Sequence, residues 1–381
     1  MNKVLASIAL RSYERTPEAP LLRPASFDDL DAMRAVQTAH GLSVKAHPEW
    51  LRLWHENPAY KSLTGWPIGW VLETRRGRIV GALENIPSFC FLDGQRYTCA
   101  FGRGWAVDAS YRSYGLLLQI QQMSQPNVDL IWTNTVNART HKVLSGLGWR
   151  EVPAGQWDRS ALWITSYAEV LQRYLMARAP FVSSIAGPVL GLGSRLGGLQ
   201  LRDRRRRLPY EWEWCSNFDT RFDEFWDALQ GQRPGLLLSC RSRESLEWHY
   251  ASAMARGQML LLTAKRDSRL IAYAVFVRRD IRDFDLKREL LIDLQALRDE
   301  PGLVAAMMIE ARRRLRLENV QILENLGCWL EATHPRFGGL RIRRRLGHWS
   351  YLYYAANKSL AERLPNPDFW YPTQYDADAS L

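Results

Sequence analysis

Hydrophobic and polar segments follow one another in the same order in the two halves of the chain. Each half contains two predicted strands joined by a short polar turn, at 70–74 and 78–85 in the first half and at 258–264 and 270–277 in the second. A strand, a helix and another strand follow, at 97–107, 115–123 and 130–135, and again at 288–297, 303–317 and 320–326. An antiparallel meander followed by a β-α-β step predicts a mixed sheet covered by helices in each half.

The length of the chain fits a duplicated domain. Its 381 residues exceed one ordinary domain of about 100 to 200 residues, and a repeat of about 190 residues is far longer than a solenoid period. The sequence predicts domains at 1–178 and 209–381, joined by a Gly- and Arg-rich linker at 179–208. Because Pro188 and Arg195 interrupt its apolar run, 180–207 is not expected to span a bilayer. An interfacial anchor on anionic lipid is the alternative to a plain linker.

The composition indicates the class of protein but does not identify its binding partner. Hydrophobic residues make up 46% and charged residues 24%, which is typical of a globular chain. The net charge of +11 indicates attraction to an anion, and CoA, nucleic acid, a membrane surface or an acidic glycan would all qualify. The five cysteines are scattered without CxxC spacing, so we expect neither a disulfide framework nor a metal site. A reducing, cytoplasmic location is therefore expected, with most of the sixteen tryptophans serving as core residues.

The most informative stretch runs from 105 to 123, WAVDASYRSYGLLLQIQQM. It predicts a strand that ends near Asp108, a short loop, and a helix that begins around Gly115. Such an arrangement directs backbone N–H groups and the positive end of the helix dipole towards one point, which suits a pyrophosphate. Gly115 permits close approach of a ligand to the backbone, and Arg112 adds a positive charge nearby.

This stretch resembles the acyl-CoA pyrophosphate loop of the GCN5-related N-acetyltransferase (GNAT) superfamily, whose pattern is Gln/Arg-x-x-Gly-x-Gly/Ala after a strand. Arg112 and Gly115 occupy the first two fixed positions, and Leu117 stands where the second Gly or Ala is usual. The resemblance implies two tandem GNAT-like α/β domains with mixed sheets, the first binding acetyl-CoA or another acyl-CoA. The residues implied to contact the acyl-CoA are Val107, Arg112, Ser113, Tyr114, Gly115, Leu116, Leu117 and Asn137.

A second GNAT-like signature follows at the expected distance. Asn137 opens a predicted helix that ends in Leu147-Gly148-Trp149, similar to the Leu-Gly-Phe of the family. The resemblance implies that Asn137 contacts the CoA arm, although capping of the helix would explain the residue equally well. Members of the family often carry a tyrosine in this helix as the general acid, and Leu144 stands at that position here.

Two residues are candidates for acid-base chemistry. Glu84 lies in RIVGALENIP, at the predicted end of a strand where many GNAT enzymes carry a general base for the acceptor amine. The alternative is an ordinary exposed carboxylate at a strand end. His141, one helical turn after Asn137, is the second candidate, with a solvated surface histidine as the alternative.

The second half lacks the loop. Asp299 and Glu300 stand where a pyrophosphate would approach and would repel it, so the domain is interpreted as a diverged copy that shapes an acceptor cleft. The arginines at 312–314 and 343–345 are interpreted as solvated faces. The aromatic and acidic segment 369–380 is interpreted as a tail on the domain surface, with recognition of a sugar or an amine as the alternative.

The leading hypothesis is an N-acyltransferase in which an amine attacks the thioester of acyl-CoA directly, with general-base help. A small amine, an amino sugar or a protein amine could be the acceptor; nucleic acid is not expected as a partner. Two alternatives stay open: a Fem-type transferase that takes aminoacyl groups from tRNA, which the positive charge would suit, and a non-catalytic acyl-CoA-binding scaffold.

Overall fold

The computed structural model describes residues 18–178, 210–330, 342–346 and 349–381, which form two compact units. The first unit contains residues 18–87 and Ala100–Asn127. The second contains Ser88–Cys99 and the described residues from Val128 onwards. The predicted linker at 179–208, and with it the predicted membrane contact through 180–207, lies outside the described residues.

The first unit is a sheet accompanied by helices. Its strands, in their order across the sheet, are β1 (Leu21–Pro24), β2 (Gly69–Glu73), β3 (Ile79–Leu92) and β4 (Gln95–Val107). Its helices are α1 (Leu30–Ala39), α2 (His47–His55), α3 (Pro58–Ser62) and α4 (Gly115–Met123). Helix α4 has the predicted limits, whereas β3 runs seven residues beyond the predicted end at 85 and, like β4, continues into the second unit.

The apolar positions of these elements form a core between the sheet and α4. Leu118 of α4 packs with Trp70 and Leu72 of β2 and with Val80 and Leu83 of β3, and all five side chains are buried. Trp70 lies opposite Leu83 in the β2–β3 register, and a register shift between Leu72 and Glu73 leaves Val80 without a directly paired residue. Helix α4 is thereby fixed directly after the end of β4.

The second unit contains the remaining elements. Its strands are β5 (Leu130–Val136), β6 (Arg150–Glu151), β7 (Arg159–Ile164), β8 (Glu211–Cys215), β9 (Leu238–Ser239), β10 (Met259–Arg266), β11 (Arg269–Arg278), β12 (Arg288–Ala296), β13 (Ile322–Leu326), β14 (Ile342–Arg345) and β15 (Ser350–Ala355). Its helices are α5 (Ala138–Gly146), α6 (Tyr167–Arg178), α7 (Arg221–Gln232), α8 (Arg243–Ala255), α9 (Pro301–Leu317) and α10 (Lys358–Arg363).

The strands of the second unit belong to two sheets, the first of which is the sheet that also contains β1 to β4. One has the order β4-β5-β15-β6, with β9 paired to β3, and the other has the order β14-β7-β13-β12-β11-β10-β8. In the latter, β12 and β13 are parallel and the other pairs are antiparallel. The chain is therefore an α/β protein with two mixed sheets flanked by helices, as the sequence predicts.

Strands β7 and β15 are exchanged between the halves of the sequence. Strand β7, from the first half, lies between β13 and β14, and β15, from the second half, lies between β5 and β6. A hydrophobic run predicts a buried strand but does not indicate which strands it pairs with, so the exchange was not predicted. The domain limits 1–178 and 209–381 stay a prediction.

The C-terminal segment is buried, so the interpretation of 369–380 as a tail on the surface was wrong. Asp376 accepts a hydrogen bond from Arg241, with 2.7 Å between Nη2 and Oδ1. Asp378 accepts from the Thr133 hydroxyl at 3.0 Å and from the Asn134 N–H at 2.9 Å. The acids of this segment thus pair with buried donors instead of facing water. Arg312, predicted to be solvated, is likewise buried.

No helix among the described residues is both long enough and apolar enough to cross a bilayer.

Candidate functional site

The loop after β4 has the predicted order of strand, turn and helix. A 3₁₀ helix, Ala109–Tyr114, connects Val107 to α4, which begins at Gly115. The side chains of Arg112, Ser113, Leu116 and Leu117 are exposed, Val107 and Tyr114 are half-buried, and Gly115 is buried. The structure therefore brings seven of the eight predicted acyl-CoA contacts together at one helix start.

Gly115 sits at a place with little room for a side chain. A Cβ atom there would lie 3.3 Å from Val107 Cγ2 and 3.6 Å from Trp105 Cζ2. The Trp105 indole N–H is buried and has no hydrogen-bond partner among the described residues. Buried donors are nearly always paired, and this one lies beside the start of α4. Val107 and Trp105 of β4 therefore pack closely against the start of α4 at Gly115.

One backbone N–H group of the predicted phosphate loop is already hydrogen-bonded within the turn. The Gly115 N–H donates to the Arg112 carbonyl, because residues 109–114 form a 3₁₀ turn rather than an open loop. A phosphate here would be held by the side chain of Arg112 and the following N–H groups of the first turn of α4, which lack intrahelical partners.

Helix α4 exposes three apolar side chains and buries two polar ones. Leu116, Leu117 and Ile120 are about 40% exposed or more, whereas Gln119 and Gln122 are buried. Gln122 donates through Nε2 to Asn85 Oδ1 at 3.1 Å. The outer face of the helix therefore presents apolar surface beside the Arg112 turn.

Glu84 is buried and accepts hydrogen bonds from three side chains. Its Oε1 accepts from Gln37 Nε2 at 2.7 Å and from Trp50 Nε1 at 2.9 Å, and its Oε2 pairs with Arg103 Nη1 at 3.2 Å. The side chain is 1% exposed. Because β3 continues to Leu92, Glu84 lies within a strand. Its predicted place at a strand end was therefore wrong, and so was the alternative of an exposed strand-end carboxylate.

Gly104 in β4 completes this arrangement. It has a φ of +66°, and a Cβ there would lie 2.2 Å from Gln37 Nε2 and 3.0 Å from Glu84 Oε1. Only glycine accommodates both the backbone conformation and the close approach of these two side chains. Sequence reasoning missed Gln37, Trp50, Arg103 and Gly104, and the Gly-Arg-Gly run at 102–104 within a strand was the one signal available.

In the second unit, Asn137 and His141 lie on successive turns of α5. Asn137 Oδ1 accepts from the Thr140 N–H at 3.0 Å, so it caps the helix. His141 Nδ1 lies 2.8 Å from Ser350 Oγ, and its Nε2 lies 3.4 Å from a carboxylate oxygen of Glu151. His141 is thus an oriented, half-buried histidine, not a freely solvated one.

The end of α5 has the predicted geometry. Gly148 has a φ of +90°, the left-handed conformation common for a glycine that follows a helix. Leu144, at the position where the family often carries a tyrosine, is 2% exposed and part of the core. That position therefore supplies no proton donor.

Solved structures of similar fold were identified by comparison. A GCN5-related N-acetyltransferase from Anabaena variabilis ATCC 29413 aligns with a TM-score of 0.53 and 11% identity, over 88% of this chain and 72% of its own. A conserved protein of unknown function from Enterococcus faecalis V583, described as a probable N-acyltransferase, aligns with a TM-score of 0.54 and 11% identity, over 91% and 75%.

The N-myristoyltransferase of Saccharomyces cerevisiae with bound myristoyl-CoA aligns with a TM-score of 0.51 and 9% identity, over 90% of this chain and 81% of its own. No protein-family profile and no curated protein matches the sequence. At these identities the likeness concerns the fold alone. The chain has the fold of the GCN5-related N-acetyltransferases.

Proposed function

We propose that the protein is an N-acyltransferase that moves an acyl group from acetyl-CoA or another acyl-CoA to a primary amine. The observation that carries this proposal is the helix start at Gly115, where the first-turn N–H groups of α4, the exposed Arg112 and the unpartnered Trp105 indole N–H occur together. A positive helix end with a fixed guanidinium beside it suits the pyrophosphate of CoA.

The exposed apolar residues of α4 extend this surface. Leu116 and Leu117 lie in the same turn as Gly115, so an acyl-CoA held at the helix start can cover apolar area that is otherwise open to water. Leu117 takes the place of the small residue usual in the family. It leaves less room for the phosphates and more apolar surface for the organic part of the ligand.

Glu84 is proposed as the general base. The Arg103 guanidinium lies 3.2 Å from Oε2. Oε1 is held by two neutral donors, whereas Oε2 has only the longer contact with Arg103. A lone pair of Oε2 is thus the one that can take the ammonium proton of the acceptor, directly or through one water.

The amine then attacks the thioester carbonyl, the C–S bond breaks, and the leaving CoA thiolate is protonated. Leu144 cannot supply that proton because its side chain is apolar and buried. Water is the proposed source of that proton. His141, oriented by Ser350 and Glu151 within the second unit, stays a candidate for acid-base chemistry.

The proposal is tested by incubating the full chain with acetyl-CoA and a panel of primary amines that contains a polyamine, an amino sugar and an amino acid. Mass spectrometry of the products should show one acetylated amine and an equal amount of free CoA. Binding of acetyl-CoA without any acetylated product would instead indicate a non-catalytic acyl-CoA-binding protein. Binding of tRNA without acetyl-CoA would indicate an aminoacyl-tRNA-dependent transferase.

A further inference from the structure

A cleft of about 230 Å³ lies in the second sheet, beside β12 and β13. The two strands are parallel partners over only three residue pairs, of which Leu290 and Glu324 are the last. Ile292 and Leu326, two residues further along each strand, are not paired, and both line the cleft. Clefts at places where parallel strands separate are common ligand sites in α/β proteins.

The lining of this cleft combines an apolar wall with positive charge. The apolar part comprises Leu290, Ile292, Leu326, Leu346 and Trp349. Arg279, Arg288 and Arg344 also line the cleft, and no acidic residue does so among the described part of the chain. A compact apolar group and an anionic group would therefore find complementary surfaces side by side.

One buried carboxylate positions two of the arginines. Glu324 is 0% exposed, and its Oε2 accepts from Arg288 Nη1 at 2.6 Å while its Oε1 accepts from Arg344 Nη2 at 2.7 Å. This carboxylate balances one of the three guanidinium charges. In the described residues, Arg288 Nη2 and Arg344 Nη1 have no hydrogen-bond partner, so each retains donors after pairing with Glu324.

We propose that this cleft binds a small organic oxyanion, a carboxylate or phosphate monoester that carries one compact apolar group. Arg288 and Arg344 hold the oxyanion through their remaining N–H groups, and the apolar group packs on Leu346 and Trp349. The volume is below the roughly 300 to 1,000 Å³ of sites that hold drug-sized ligands, so the ligand is small. This site is independent of the acyl-CoA site proposed above, because every residue it uses belongs to the second unit.

The test uses 3-phenylpropionate and phenyl phosphate as probes, titrated against the full chain and followed by ligand-observed NMR. Arg344→Gln should weaken binding of the preferred probe by about 10-fold or more, because a charge-assisted contact is lost. The matched control is Arg345→Gln, the next residue of β14, which carries the same charge and does not line the cleft. The neutral analogue 3-phenylpropanol should bind at least about 10-fold more weakly than the acid.

A second variant guards against loss of folding in Arg344→Gln, which leaves Glu324 with one partner. Leu346→Glu places a carboxylate in the cleft without touching Glu324, and it should also abolish binding of both anions. Equal weakening by Arg344→Gln and Arg345→Gln would show a general charge effect and overturn the proposal. So would equal binding of the neutral analogue, or no saturable binding of either anion.

Discussion

Glu84 and Arg103 form a buried ion pair in the first unit, with 3.2 Å between Oε2 and Nη1. Gln37 and Trp50 donate to the other carboxylate oxygen, so three elements besides β3 contribute to the position of one side chain. These contacts fix the orientation of the carboxylate, which a general base needs. The same contacts also stabilise the fold, so the two roles must be separated by experiment.

Glu84→Gln should lower turnover by about 100 to 10,000-fold with an amine that the wild type acetylates, because the group that removes the ammonium proton is lost. The affinity for acetyl-CoA should stay nearly constant, since the base acts on the acceptor. Activity should recover partly at high pH, where the free amine is already deprotonated. Glu73→Gln, a carboxylate of the neighbouring strand paired with Arg23, is the matched control and should retain the wild-type profile.

A purely structural role of Glu84 would give a different pattern. The variant would then lose acetyl-CoA affinity and thermal stability together, and its remaining activity would follow the wild-type pH profile. That result would remove Glu84 from the mechanism.

Arg241 should be essential for the stability of the second unit. Its guanidinium is 2% exposed and lies between Asp293 and Asp376, with 2.9 Å from Nε to Asp293 Oδ2 and 2.7 Å from Nη2 to Asp376 Oδ1. Burial opposes ionisation of Asp293, but Arg241 outweighs it and keeps the pKa of Asp293 low, whereas burial raises the pKa of Asp376. Arg241→Gln should cost about 3 to 5 kcal/mol, because two buried carboxylates lose their cation.

Thermal unfolding of the full chain measures this effect. Arg243→Gln is the control, since Arg243 is exposed and its ion pair with Asp223 lies at the surface. Adding Asp376→Asn to Arg241→Gln should restore part of the loss by removing one carboxylate. A melting temperature that is unchanged in Arg241→Gln would show that the cluster does not stabilise the unit.

Glu289 should make the protein less stable as the pH rises. Burial raises the pKa of this carboxyl to about 8, despite Arg278 at 3.7 Å, so the folded state keeps a proton that the unfolded chain loses above about pH 4.5. The folded state therefore binds more protons between pH 4.5 and 8, and the free energy of unfolding falls across this range.

Between pH 5.5 and pH 8 the contribution of Glu289 should fall by up to about 3 kcal/mol. Glu289→Gln, which stays neutral, should remove this part of the pH dependence and be the more stable protein at pH 8. Parallel melting curves for the two proteins at both pH values provide the measurement. An identical pH dependence in the variant would show that Glu289 is ionised in the folded protein.

Structural features that depend on residues close together in the chain can be predicted from the sequence. The helix start at Gly115, the cap at Asn137 and the left-handed Gly148 each follow from residues within one or two turns of one another, and the structure contains all three. The burial of Glu84 depends instead on Gln37, Trp50 and Arg103, which lie 47, 34 and 19 positions away in the chain. No periodicity connects these residues.

The same limit explains the exchanged strands and the buried C-terminal segment. The pattern of β15 indicates a strand with a buried face, but pairing with β5 is a contact between residues more than two hundred positions apart. Asp378 lies 245 positions from Thr133, and its burial depends on donors that a scan of neighbouring residues cannot reveal. An acidic, aromatic segment at the end of a chain looks solvated until its partners are known.

The proposed function requires that acyl-CoA binds at the start of α4. Isothermal titration of the full chain with acetyl-CoA tests it, comparing the wild type with Gly115→Val and Gly302→Val. Both glycines lie in the first turn of a helix, but a Cβ at Gly302 meets nothing within 4 Å. We predict saturable binding of one acetyl-CoA per chain, weakened by about 1 to 3 kcal/mol in Gly115→Val and unchanged in Gly302→Val. No saturable binding up to about 1 mM, or equal affinity in all three proteins, would contradict the assignment.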